Sequence, residues 1–166
     1  MLQPLVRRTW APKGCTPIQY SWDRHDRLSV VSAITVSPQR RRLGLYFAVQ
    51  DHNFRAPDVE AFVAELLKHL PHGLILVLDR WQVHRSAARR LLQRFGHRLQ
   101  IEWLPPYAPQ LNPDEQVWMQ TKCRDLANFL PQDITDLEQA VQQSLEQTKT
   151  QQSLLRSFFK HAGLRL

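Results

Sequence analysis

No stretch of this 166-residue sequence approaches the ~18 consecutive apolar residues that a membrane-spanning helix requires. No membrane partner is therefore expected. The segment from Met1 to Arg8 lacks the order of charge, apolar run and small residues that marks a secretory signal, so the expected compartment is the cytoplasm. Cysteine is scarce. Cys15 and Cys123 lie far apart, fit no zinc spacing and make no disulfide framework, which leaves two buried or idle thiols. Acid is also in short supply, with 15 Asp and Glu against 22 Lys and Arg and a net charge of +7. The excess is mostly arginine, clustered at Arg7–Arg8, Arg40–Arg42, Arg85, Arg89–Arg90, Arg94 and Arg98. Such a surplus suits a polyanion, because each cation that neutralises a phosphate releases a bound counterion. The plain alternative is a soluble basic protein.

Hydrophobic residues make up 43% of the chain, enough for a folded domain with its own core. Residues 1–27 read as irregular, with a short extended piece at Pro17–Ser21. Two β-branched or aromatic runs, 28–35 and 43–50, flank the polar turn Ser37–Arg42 and predict a hairpin. Pro57 opens a helix with Val59, Phe62, Val63, Leu66, Leu67 and Leu70 at helical spacing. Gly73 restarts the chain into a buried strand, 74–79. Ser86 is a candidate cap for a helix turning Leu91, Leu92 and Phe95 inward, and Gly96 ends it. A further strand covers 99–104. Asn112, Pro113 and Glu115 fit the cap, first and third positions of a helix reaching about Asn128. Two more helices follow, striped by Leu137, Val141 and Leu145, and by Leu154, Leu155, Phe158 and Phe159. A hairpin followed by strands separated by helices predicts a mixed sheet with helices packed on it. No repeat or linker divides the chain.

The apolar run 74–78 ends abruptly in Asp79, and the carboxyl ends of parallel strands are where such sheets carry their sites. Asp79 also suits a simple turn or helix cap. Glu115 has its own bland reading, because Asn-x-x-Glu matches a capping box in which the Glu bonds back to the cap residue's N–H. A strand-terminal Asp and a helix-start Glu, with a helix and a strand between them, can share one rim. Carboxylates on one rim are suitable hard ligands for Mg²⁺ or Mn²⁺.

The segment Leu104-Pro105-Pro106-Tyr107-Ala108-Pro109-Gln110-Leu111-Asn112-Pro113-Asp114-Glu115-Gln116-Val117-Trp118 closely resembles the signature of mariner-type transposases and their bacterial insertion-sequence relatives. So do Val77 to Ser86 and Arg8 to Pro17. The resemblance implies a ribonuclease-H-like α/β fold and a three-carboxylate site. It also implies Mg²⁺-dependent cutting at transposon ends and joining of a 3′-hydroxyl to target DNA, with Mn²⁺ as substitute. Asp79 matches the second family carboxylate and Glu115 the third. His84 matches a histidine placed after the second acid, and Asn112 lies within the motif; both are expected to support the site. Arg40, Arg41, Arg42, Arg85, Arg89 and Arg90 are candidate DNA contacts. Trp103 and Trp118 read as core rather than base-stacking groups. Arg80 stands where the family more often has Asn.

The family's first carboxylate lies on a central strand before the Arg8–Pro17 segment, ground that would precede Met1. Residues 1–130 are thus expected to form a partial catalytic core lacking its first strand, with 131–166 a helical extension on the same domain. Without that strand the sheet has a gap, or Leu2–Val6 fill it. The chain is expected to be inactive alone, and to act as a homodimer or beside full-length transposase. One alternative is a non-catalytic DNA-binding or subunit-poisoning protein. Another is a complete small metal nuclease with its third ligand from Asp51 or Asp23; Asp26 is weighed with these.

Overall fold

The computed structural model of the chain describes residues 7–8, 10–18, 27–70 and 72–166. The predicted hairpin is present as β1 (Ser29–Val36) and β2 (Leu43–Gln50), paired antiparallel from Ser29↔Gln50 to Val36↔Leu43. Next comes α1 (Ala56–His69), with Pro57 in its first turn and the Arg55 amide donating to Asp58 Oδ2 at 2.8 Å. Then follow β3 (Leu74–Leu78), α2 (Gln82–Phe95) and β4 (Leu99–Trp103). β4 lies parallel to β3, in register from Leu74↔Leu99 to Leu78↔Trp103, as a helical crossover requires. Gly73 has φ +89, and a Cβ there would stand 2.9 Å from the Arg98 carbonyl oxygen, so the strand entry needs glycine. Arg98 also donates from Nη2 to the Leu67 and Leu70 carbonyls at the end of α1, a structural use for one of the clustered arginines.

A 3₁₀ turn at Pro109–Leu111 leads to α3 (Asp114–Gln120), which widens into a π turn over Thr121–Asp125. The Ser144 hydroxyl donates to Asp125 Oδ2 at 2.7 Å and lies 3.1 Å from Thr121 Oγ1, fixing that turn to α4 (Ile134–Thr150). The chain ends with α5 (Gln152–His161).

The strands depart from the single mixed sheet that was predicted. Those described form two two-stranded sheets, β1–β2 and β3–β4. Leu2–Val6, the expected filler, lies outside the described residues, as do Gln19–Ser21 of the expected early strand. Each sheet has its own apolar cluster. Around the hairpin, Leu43, Leu45, Val117, Leu137, Val141, Leu145 and Leu155 pack together with Phe158 and Phe159. Around the parallel pair, Val59, Val63, Leu67, Leu76, Ala87, Leu91 and Leu99 do so. β3 is not buried on both sides as predicted: Leu76 faces that cluster, while Ile75 and Val77 are 63% and 55% exposed. Two inferences about α2 are corrected as well. It begins at Gln82, so Ser86 lies inside it and caps nothing, and Leu92 is 44% exposed. The inward stripe is Val83, Ala87, Leu91 and Phe95, each four residues on.

Candidate functional site

β3 ends where the Leu78 carbonyl accepts the Leu104 amide at 2.8 Å, and the next side chain is Asp79. Its Oδ1 accepts the Trp81 amide at 3.0 Å and lies 2.6 Å from Nδ1 of His84. His84 stands in the first turn of α2, 18% exposed against 48% for Asp79. The Trp81 ring meets the imidazole edge-on at 5.3 Å and holds its plane. Asp79 therefore keeps one oxygen, Oδ2, outside these bonds. Arg80, at the position where the family more often has Asn, turns back to donate from Nε to the Leu104 carbonyl at 3.1 Å.

Glu115 arrives from the other sheet's helices. Asn112 is extended, its Oδ1 accepts the Asp114 amide at 3.1 Å, and its carbonyl accepts the Glu115 amide at 3.2 Å. The cap position falls one residue later than the sequence suggested, at Pro113, and Asn112 instead closes the turn leading into α3. The capping box does not form, because the Asn112 N–H already donates to the Pro109 carbonyl at 3.0 Å. Burial raises the Glu115 carboxyl above its ordinary pKa, and the negative charge of Asp79 raises it further, against an opposing pull from Lys122. The charge of Asp79 at the end of β3 thus bears on Glu115 at the start of α3.

Asp114 stands beside Glu115 in the first turn of α3. In the structure the residue is half-buried with its carboxyl turned inward, and its Oδ2 accepts the Ser32 hydroxyl of β1 at 2.6 Å. Burial pushes its carboxyl up to about 6; Ser32 and the Trp118 indole draw it down, and Glu115 pushes it up. Its Oδ1 has no hydrogen-bond partner. Nothing in the sequence shows that position 114 meets β1.

Asp51, offered as a third ligand, is exposed at the end of β2 and lies 2.9 Å from His52, which holds its carboxyl below the usual range. Asp23 and Asp26 lie outside the described residues. Among the described residues, no three His, Cys, Asp or Glu side chains gather so as to hold a metal ion. Arg85, Arg89 and Arg90 line a hollow of about 470 Å³ on α2 together with Gln82 and Ser86. Arg90 is tied to Glu60 of α1 at 3.0 Å. Arg40, Arg41 and Arg42 are exposed on another element, the hairpin turn.

Residues 1–138 match the family described as DDE superfamily endonuclease. The chain belongs to that family. The fold of this DDE endonuclease chain is similar to that of two solved structures. One is the Mos1 Strand Transfer Complex, with TM-score 0.62 at 10% identity; the other is the Mos1 mariner paired end complex with Mn, with TM-score 0.61 at 11%. Each match covers 98% of this chain and 47% or 48% of the other, so the chain spans about half the length of the structures it resembles. No curated protein matches the chain. The oxygens of Asp79 and Glu115 have the chemistry a hard divalent cation takes. As donors they are two, and among the described residues no group of three His, Cys, Asp or Glu gathers to hold a metal ion.

Proposed function

We propose that this chain is the catalytic-core portion of a DDE transposase, built on a ribonuclease-H-like frame and acting on DNA. The observation that carries the reading is the match of residues 1–138 to the DDE superfamily endonuclease family, and the upward push of Asp79 on the Glu115 carboxyl supports a shared rim for the two acids. Family membership and the fold shared with the Mos1 complexes support it. Asp79 through Oδ2, and Glu115, are the groups to hold Mg²⁺ or Mn²⁺. When bound, such an ion activates an attacking water or 3′-hydroxyl and stabilises the departing oxygen. His84 fixes the rotation of the Asp79 carboxylate, and Asn112 sets the start of the helix bearing Glu115. Arg85 and Arg89, four residues apart beside His84, lead DNA phosphates towards the rim, and Arg90 borders the same hollow. The substrates are transposon ends and target DNA. The partner is a second copy or a full-length transposase subunit, and the compartment is the cytoplasm.

With two carboxylates for the rim among the described residues, we infer that the chain by itself binds the ion weakly and does not cleave. That favours a second reading, a non-catalytic DNA-binding protein that poisons intact transposase subunits. Mn²⁺ binding followed by electron paramagnetic resonance, alongside nicking of supercoiled plasmid, tests both. We expect weak Mn²⁺ binding that Asp79→Ala and Glu115→Gln each abolish, and no nicking. Binding that survives Asp79→Ala would overturn the metal site. Nicking abolished by Asp79→Ala would instead indicate a complete nuclease.

A further inference from the structure

The turn Ser37–Arg42 is more tightly built than a polar loop requires. Arg40 holds φ at +56, a region costly for a residue with a side chain, and its amide donates to the Ser37 carbonyl at 2.7 Å. Strain of this kind persists only where neighbouring structure enforces it. Here α5 does so. Arg156 donates from Nη2 to the carbonyls of Arg41 at 2.7 Å and Arg40 at 3.2 Å. Gln152, one helical turn earlier, donates to the Leu43 carbonyl at 2.7 Å and accepts the Leu43 amide at 3.0 Å. Three consecutive exposed arginines are thus carried on one stiffened turn, with Arg156 bonded to its backbone. Among the described residues no carboxylate forms an ion pair with any of them. Like charge gathered in this way is unfavourable unless an anion answers it.

We infer that this turn, stiffened by Arg156 and Gln152, is a second phosphate-binding surface that holds the flank of a DNA duplex. The inference rests on the DNA reading above and adds a separate site to it. Ser32 touches Asp114 beside Glu115, and Ser37 lies five residues further along β1. At ~3.3 Å per residue the turn begins roughly 16 Å from Ser32, the residue that touches Asp114. Arg156 is a positioning residue whose loss frees three other arginines.

Fluorescence anisotropy with a labelled 30-base-pair duplex and the full chain tests this. Arg40→Gln/Arg41→Gln/Arg42→Gln should weaken binding about tenfold or more and flatten the salt dependence of log K by about 2 to 3. Arg156→Gln should flatten it by more than the ~1 expected for a single lost phosphate contact. Thermal melts should show the triple variant folded as the parent is. If the parent binds DNA and the triple variant binds equally well, the second surface is wrong while the DNA reading stands. If the parent binds no DNA, both fall. A matched RNA duplex bound more tightly than DNA, with the same loss in the triple variant, would overturn the assignment to DNA.

Discussion

The two sheets are held in different ways. Around the hairpin, α3, α4 and α5 close a core that includes Phe158 and Phe159, and polar ties such as Ser32–Asp114 and Gln152–Leu43 bolt helix to strand. Around the parallel pair the cluster is mostly aliphatic, α1 and α2 cover one face, and Ile75 and Val77 remain open on the other. Asp79 grows from the second region and Glu115 from the first. The rim we propose requires both regions to keep their place, although neither apolar cluster contributes a residue to the other. A site at such a seam inherits the stability of its weaker side.

The largest effect should come from testing that independence. Leu91 is fully buried beneath α2, so Leu91→Ala should cost about 2–5 kcal/mol through lost burial and the cavity left behind. Hydrogen exchange should then show amides of β3, α2 and β4 losing protection while those of α4 and α5 keep theirs. Equal loss in both regions would break the comparison and make the molecule one cooperative unit. Leu145→Ala, equally buried beside the hairpin, should give the reverse pattern.

Asp114 sharpens the comparison next. Its folded pKa of about 6 lies above the ordinary 3.8, so the native state binds the proton more tightly than the unfolded chain does. Its contribution is therefore complete below about pH 4 and is lost as pH rises through 6. A difference of that size corresponds to about 3 kcal/mol. Glu115, also raised, acts with the same sign. Urea melts at pH 5 and pH 8 should show the metal-free chain less stable at the higher pH. Asp114→Asn, which still accepts the Ser32 hydroxyl, should remove most of that slope. A slope that survives would mean Asp114 is not the buried acid responsible. The destabilisation should be concentrated in the hairpin region, where exchange can locate it.

What was legible in the sequence was whatever depends on near neighbours. The hairpin, the stripe Leu137–Val141–Leu145 and the strand-terminal position of Asp79 follow from local periodicity. The pairing of Asp79 with His84 was legible only through the family resemblance. Ser32 bonding to Asp114 was not legible at all, because it joins a strand to a helix far along the chain. The exposure of Ile75 and Val77 was missed for a related reason: an apolar run gives no sign of whether one face or both are covered. Nor could local pattern separate capping from chemistry at Glu115. That turned on whether the Asn112 N–H was already engaged, a matter of the 3₁₀ turn before it.

The smallest effects concern how helices begin in the two regions. α4 starts at Asp133, whose Oδ1 accepts the Asp136 amide at 2.8 Å while Asp136 Oδ2 accepts the Gln132 amide at 2.9 Å. Asp133→Ala should lose about 1 kcal/mol, read as a lower urea midpoint. α2 has no side-chain cap at Trp81, and the serine expected to cap it is exposed inside the helix. Ser86→Ala should then gain a few tenths of a kcal/mol, since alanine is the better interior residue. A loss near 1 kcal/mol would restore Ser86 as a cap and move the start of α2. The missing cap has a physical counterpart, because Asp79 itself takes the Trp81 amide at 3.0 Å. The carboxylate proposed for chemistry also helps to begin the helix that carries His84, so a substitution at Asp79 should disturb both at once.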